Sequence, residues 1–385
     1  VTHRHGVRGI LFTVLIAVSL LVGSAVIAFV FVASGQPEAI AVGLLLAMLP
    51  VGPLVACYVW LDRYEPEPVR LLVMAFGWGA LVATASALAL QVVDDALIGR
   101  GMTWSAVVVA PVTEEAGKGL FVLLLLWLRR HTIDGVLDGL IYAGLVGVGF
   151  AFTENILYYA GAYAGEMGLG PGGLESATTL FVIRGIFSPF AHPLFTSAIG
   201  IGAGLMVTSR SRGLRVLAPL VGYLVAVALH AAWNGSAFAA DGAFFLLTYV
   251  FAMVPGFFAL VGLAVWFRVR EGRMLARSLT DLARRGYLQV QEVPWLVRPP
   301  ARRTARKNAR RRGGPEAERM MREYQRQAIE LAVLHDRVMR GRSARGAQER
   351  GAHMAHRLGA LRAHVMFPRH AAYAVMPQPH RQDWA

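Results

Sequence analysis

Four short polar groups interrupt long apolar stretches of the chain, and their residue types are those that move protons or hold metal ions. They are Glu114-Glu115-x-x-Lys118, Phe150-x-x-x-Glu154-Asn155, Ser188-Pro189-Phe190-Ala191-His192-Pro193 with Arg184 before it, and His230-x-x-x-Asn234. One Glu can act as general base on a water molecule. A second Glu, held by a cation, can fix the first in place. His230 and Asn234 are four residues apart, so on a helix both can donate to an oxyanion as it forms. Alternatively Glu154, His192 and His230 can ligate a zinc ion, since carboxylate and imidazole are both zinc ligands. No His-Glu-x-x-His run occurs, and the residues leave metal-free and metal-assisted water activation both open.

The elements that must hold these groups are membrane helices. Of 385 residues, 56% are apolar and 16% charged, against roughly 45–50% and 25% in a soluble domain. A disordered chain is excluded and an ordinary soluble enzyme disfavoured. Eight segments reach the ~20 residues needed to span a bilayer: 10–33, 40–61, 69–91, 104–128, 135–160, 178–208, 215–238 and 243–267. The first is too long for a signal-peptide core and is expected to be a retained anchor. The fold class expected is all-α, a polytopic bundle of about eight transmembrane helices.

Loop charge predicts the orientation. One alternating set of loops carries Arg4 and Arg8, Arg63 and Arg70, Arg129 and Arg130, then Arg210, Arg212 and Arg215; the other holds Arg100 alone. The positive-inside rule puts both termini in the cytoplasm. In that topology Glu114, Glu154, His192 and His230 fall within a slab of roughly 12 Å in the outer half of the bilayer, at 1.5 Å per residue. Unpaired and facing lipid, Glu114, Glu115, Lys118 and Glu154 would cost on the order of 10 kcal/mol. They are therefore expected to face one another or a wet cavity. Lys118 can neutralise either carboxylate of its pair. Gly144, Gly147 and Gly149 suit close helix packing. Arg184 either neutralises a carboxylate or snorkels, and is given no part in the chemistry.

Residues 1–267 and 268–385 differ in charge. Before Arg268 lie 12 of the 38 Lys+Arg and 14 of the 24 Asp+Glu. The later segment is thus strongly basic and reads as a cytoplasmic tail. Its Arg-rich stretch between Pro299 and Gly314 reads as a solvated linker, 315–340 as a helix with Pro315 at its first position, and the remainder as weakly ordered. Anionic lipid of the inner leaflet is the expected partner of this tail; no nucleic-acid motif accompanies the charge. Nearly all basic residues are Arg, which with the Ala, Val, Leu and Gly richness points to a GC-rich bacterial genome. The one cysteine, Cys57, forms no intramolecular disulfide and no Cys-based zinc site.

The four motifs, in this order on four successive spans, resemble the PrsW family of intramembrane proteases, within the larger group of the type II CAAX prenyl endopeptidases. Asp62-Arg63-Tyr64-Glu65-Pro66-Glu67-Pro68 also resembles that family, and the likeness covers roughly residues 40–240. It implies a membrane-embedded endopeptidase in the 1–267 segment, with Glu114 as the water-activating base and Glu115 as its orienting partner. It implies that His230 and Asn234 hold the oxyanion. Where those relatives carry a His this chain has Glu154, which would serve as base or metal ligand. The implied substrate is a membrane-anchored protein; for some members it is an anti-sigma factor. The competing class is non-enzymatic: a proton-coupled transporter or a membrane immunity or binding protein. A transporter would show related halves, whereas here the polar residues crowd into spans four to seven.

Overall fold

Backbone groups in a bilayer must be satisfied within their own segment, which favours helices. In the computed structural model, which describes residues 2–129, 132–168, 170–239, 243–341 and 346–368, every regular element is helical. The chain divides into two compact units, Val1–Asp62 with Pro66–Phe267, and Arg63–Glu65 with Arg268–Ala385.

The first unit holds α1 (Thr2–Ala33), α2 (Pro37–Leu61), α3 (Val69–Leu97), α4 (Ala110–Leu128), α5 (Val136–Tyr163), α6 (Gly173–Phe181), α7 (Ala191–Thr208), α8 (Arg212–Phe238) and the first part of α9 (Phe244–Arg284). Among the described residues, seven stretches are long and apolar enough to cross a membrane. The remaining predicted span, 104–128, is represented by α4, 19 residues long. Its composition sets it apart because Glu114, Glu115 and Lys118 sit in its middle. The protein is a multi-pass membrane protein of the all-α class.

α5 is the buried centre, packed on α2, α3 and α7. Its glycines explain the closeness. A Cβ on Gly149 would lie 2.0 Å from the Phe76 carbonyl oxygen of α3, and one on Gly147 would lie 2.8 Å from the backbone of Pro193 in α7. Only glycine allows that approach. The predicted 178–208 segment is broken: α6 passes into a π-helical stretch, Val182–Phe187, then a non-helical corner at 188–190 before α7 begins. Pro189 disfavours helix at Ser188, and Pro193 lies in the first turn of α7, where its missing N–H leaves no bond to extend the helix back across the corner. Another π-helical stretch, Ser105–Val109, leads into α4, and two more, Trp78–Ala83 and Tyr249–Met253, lie within α3 and α9.

The second unit is ordered where a linker was expected. α9 leads into it. It continues as α10 (Val293–Val297), α11 (Pro299–Met339) and α12 (Ala347–Arg362). Residues 299–312 are helical because Pro299 and Pro300 occupy the first turn and Ala and Arg are strong helix formers. Arg302, Ala305 and Ala309 form their buried face. Gly313 and Gly314 leave helical geometry, with φ 69° at Gly314, and the expected helix resumes at Pro315. Met321, Tyr324, Ala328 and Leu331 of this helix are buried, in a separate core with Leu275 and Leu358. The expectation of weak order after residue 340 is likewise corrected at α12; for 342–345 and 369–385 it lies outside the described residues.

Candidate active site

The polar groups of α4, α5, α7 and α8 converge on Lys118. Its Nζ lies 2.8 Å from Glu115 Oε1, 3.4 Å from Glu114 Oε2 and 3.1 Å from His192 Nδ1. It also stands 3.7 Å from the centre of the Phe150 ring, so a π face supplies the remaining side of its cage. Helical spacing accounts for much of this: Glu114 and Glu115 precede Lys118 by four and three residues on one face of α4. Lys118 and Glu115 are fully buried, Glu114 and His230 nearly so.

Each imidazole is held on one nitrogen by a carboxylate. His230 Nδ1 lies 3.0 Å from Glu115 Oε1, and His192 Nε2 lies 2.7 Å from Glu154 Oε2. An ionised carboxylate only accepts, so those two nitrogens carry the protons. The lone pairs then sit on His230 Nε2 and His192 Nδ1. The first lies 3.8 Å from Glu114 Oε2, the second against the Lys118 ammonium. The ring planes of the two histidines stand at 86°. Thr196 Oγ1 donates to Glu115 Oε2 at 3.0 Å, and Gln91 Nε2 donates to Glu114 Oε1 at 3.4 Å.

Glu114, His192 and His230 each offer a ligand atom, all within 4.8 Å of one another. That donor set suits a zinc-type ion, and the carboxylate behind each imidazole is the partner metal-bound histidines ordinarily have. The trio differs from the one predicted. Glu154 stands behind His192, its carboxylate taken up by the imidazole and by Arg184, while Glu114 occupies the ligand position. Asn234 also stands elsewhere. Its Nδ2 donates to the carbonyl of Ala106, in the π-helical stretch before α4, at 2.8 Å.

Arg184, expected either to neutralise a carboxylate or to snorkel, pairs with Glu154. Sequence reasoning passed over two contributors. Thr196 comes four residues after His192 and was findable by helical spacing. Gln91 gave no signal, since its distance from Glu114 depends on how α3 crosses α4.

The sequence matches the family described as PrsW family intramembrane metalloprotease over residues 67–260, half of the chain and all four motif-bearing helices. The chain belongs to the PrsW family. It is 28% identical over 100 residues to Protease PrsW of Bacillus subtilis (strain 168), covering 26% of this chain and 45% of that protein. Against Protease PrsW of Geobacillus kaustophilus (strain HTA426) it is 28% identical over 147 residues, 37% of this chain and 57% of that protein. The chain thus spans about half the length of the curated relatives it matches. No solved structure matches it. Every residue of the cluster lies inside the PrsW match, whereas α11 and α12 lie outside it.

Proposed function

We propose that this PrsW family member is an intramembrane endopeptidase that hydrolyses a peptide bond of a membrane-anchored protein. The observation that carries this is the convergence of Glu114 with the two imidazole lone pairs inside a buried shell. Glu114 accepts a proton from the attacking water and later delivers it to the leaving amine. Glu115 and Glu154 hold His230 and His192 in fixed tautomers, and Lys118 offsets the charge of the Glu pair. Alternatively Glu114, His192 and His230 would hold a zinc-type ion, which would polarise the scissile carbonyl and acidify water, with Glu114 then a ligand instead of the free base. The tautomers supported by these contacts favour His230 as a ligand over the donor role that the family likeness implies.

The test is reconstitution of the full chain with single-span substrates, anti-sigma factors among them. Glu114→Gln and His230→Ala are expected each to abolish cleavage. A product that survives both substitutions overturns the mechanism.

Both termini in this reading are cytoplasmic, and the tail contacts anionic lipid. Arg303, Lys307, Arg310, Arg311 and Arg312 are exposed on the first half of α11. Arg310 reaches Glu318 at 3.3 Å, while the other four have no acidic partner among the described residues. Arg302 fixes this helix by bonding the carbonyls of Leu296, Val297 and Arg63. Each basic residue near an anionic surface contributes about 1 kcal/mol. Tryptic cleavage at Arg311 and Arg312 in full-length protein is expected to slow in phosphatidylglycerol nanodiscs relative to phosphatidylcholine ones. Equal rates in both overturn the lipid assignment.

A further inference from the structure

Arg184 grips two neighbouring side chains of α5 at once. Its Nη2 pairs with Glu154 Oε2 while its Nε donates to Asn155 Oδ1 at 2.8 Å. The guanidinium lies over the Tyr158 ring, 3.8 Å from its centre. The Glu154 oxygen it holds is the one that faces His192 Nε2 at 2.7 Å. Arg184 thus has no contact with Glu114 in this arrangement but stands directly behind the group that orients His192.

The local backbone explains how it gets there. Arg184 lies in the π-helical stretch Val182–Phe187, closed by Ser188 N–H donating to the Ile183 carbonyl at 3.1 Å. A π turn adds one residue, which rotates the downstream chain by about 100° relative to a continuous α-helix. The corner at 188–190 then lets α7 start afresh, with His192 in its first turn. Arg184 and His192 approach Glu154 from two segments whose relative phase this break sets.

The two halves of the site repeat one pattern. On one side stand Lys118, Glu115 and His230; on the other Arg184, Glu154 and His192. In each, a cation holds a carboxylate, and the carboxylate fixes an imidazole so that its remaining nitrogen faces the middle. We propose that Arg184 is a positioning residue. By clamping Glu154 against Asn155 it keeps the His192 proton on Nε2 and presents Nδ1 to the centre of the site. A lysine would keep the charge but could not serve both acceptors with one planar fork.

The inference rests on the proposed peptidase activity only for its rate readout. The tautomer readout is independent of it. Full-length protein with 15N-labelled histidine is placed in nanodiscs, and the His192 resonances are identified by their loss in His192→Gln. Wild type is expected to show Nε2 protonated and Nδ1 bare. The Lys118 ammonium beside Nδ1 favours the same tautomer, so the spectra are compared in Lys118→Met protein, where adding Arg184→Gln is expected to give mixed tautomers at His192. Made alone, Arg184→Gln is expected to lower kcat about 10–100-fold with KM little changed, the usual cost of losing a partner behind a site histidine. Arg184→Lys, which keeps the charge should Arg184→Gln fail to fold, is expected to fall between. A His192 tautomer unchanged by both Arg184→Gln and Arg184→Lys in the Lys118→Met background overturns the proposal, whatever the rate. If wild type cleaves nothing, the peptidase reading fails while the tautomer result still decides this one.

Discussion

Changing Glu115 to Gln removes one negative charge and almost no volume from the most enclosed carboxylate of the protein. Glu115 accepts from Lys118 at 2.8 Å, His230 at 3.0 Å and Thr196 at 3.0 Å, and neither it nor Lys118 has any exposed surface. The substitution leaves the ammonium with Glu114, at 3.4 Å, as its remaining carboxylate. Breaking a buried pair from one side costs about 3–5 kcal/mol, because the surviving charge stays desolvated. At roughly 2–4 °C per kcal/mol for a unit of this size, the midpoint of unfolding is expected to fall by about 6–20 °C. Trp78 is a built-in reporter, since its Nε1 donates to the Gly117 carbonyl at 2.9 Å, one residue before Lys118. Thermal unfolding in nanodiscs followed by tryptophan fluorescence measures the shift. The triple variant Glu114→Gln, Glu115→Gln, Lys118→Met leaves none of the three buried groups charged and is expected to recover most of the loss. A single-variant drop within the ~1 kcal/mol of an exposed pair, or a triple variant no better than the single, refutes the claim that this pair is held by mutual burial.

Three other outcomes are expected from the geometry. The Lys118 ammonium uses the His192 lone pair that a metal ion would need, so Lys118→Met is expected to tighten zinc binding at least about tenfold, ~1.4 kcal/mol, by competition against a chelator dye; unchanged affinity counts against a site at Glu114, His192 and His230. Asn234→Ala is expected to lower kcat no more than about tenfold, since its amide tethers Ala106, whereas loss of an oxyanion donor costs about 10²–10³; single-turnover kinetics separate the two. At Asp62, just past the end of α2, burial pushes the carboxyl up to about 7, with Asp138 adding to it and the Glu67 backbone N–H opposing it. The stability it contributes is fully present below the unfolded value of about 3.9 and is lost as pH rises through about 7. An infrared band of a protonated carboxyl titrating near neutrality, absent in Asp62→Asn, is the expected signature.

Much of this arrangement was legible in the sequence because membranes make polar residues conspicuous. Glu114, Glu115, Glu154, His192 and His230 announced themselves as costly groups at one depth, and burial left them little choice but each other. What could not be read was which partner each takes. Glu114 rather than Glu154 groups with the two imidazoles, and Glu154 stands behind His192, where the π turn at Val182–Phe187 and the corner after it fix how Arg184 and His192 arrive; nothing in a hydropathy pattern marks an extra residue in a helix. Asn234 shares a face with His230, yet its partner lies on α4's lead-in turn, a tertiary fact. The basic stretch 299–312 misled for another reason: its charge concealed a narrow buried seam of Arg302, Ala305 and Ala309.

Gly147 and Gly149 close one flank of the polar cluster with main chain pressed on main chain, α5 against Pro193 and Phe76. A partition of that kind has no side chain to swing aside and no slack to part. On the proposed function an incoming polypeptide has to be admitted elsewhere, and two of the non-α stretches among the described residues, 105–109 and 182–190, adjoin α4 and α7, which carry the reacting groups. A disulfide staple across either break, made from introduced cysteine pairs, is thus a route to locking the entrance while leaving the reacting groups untouched.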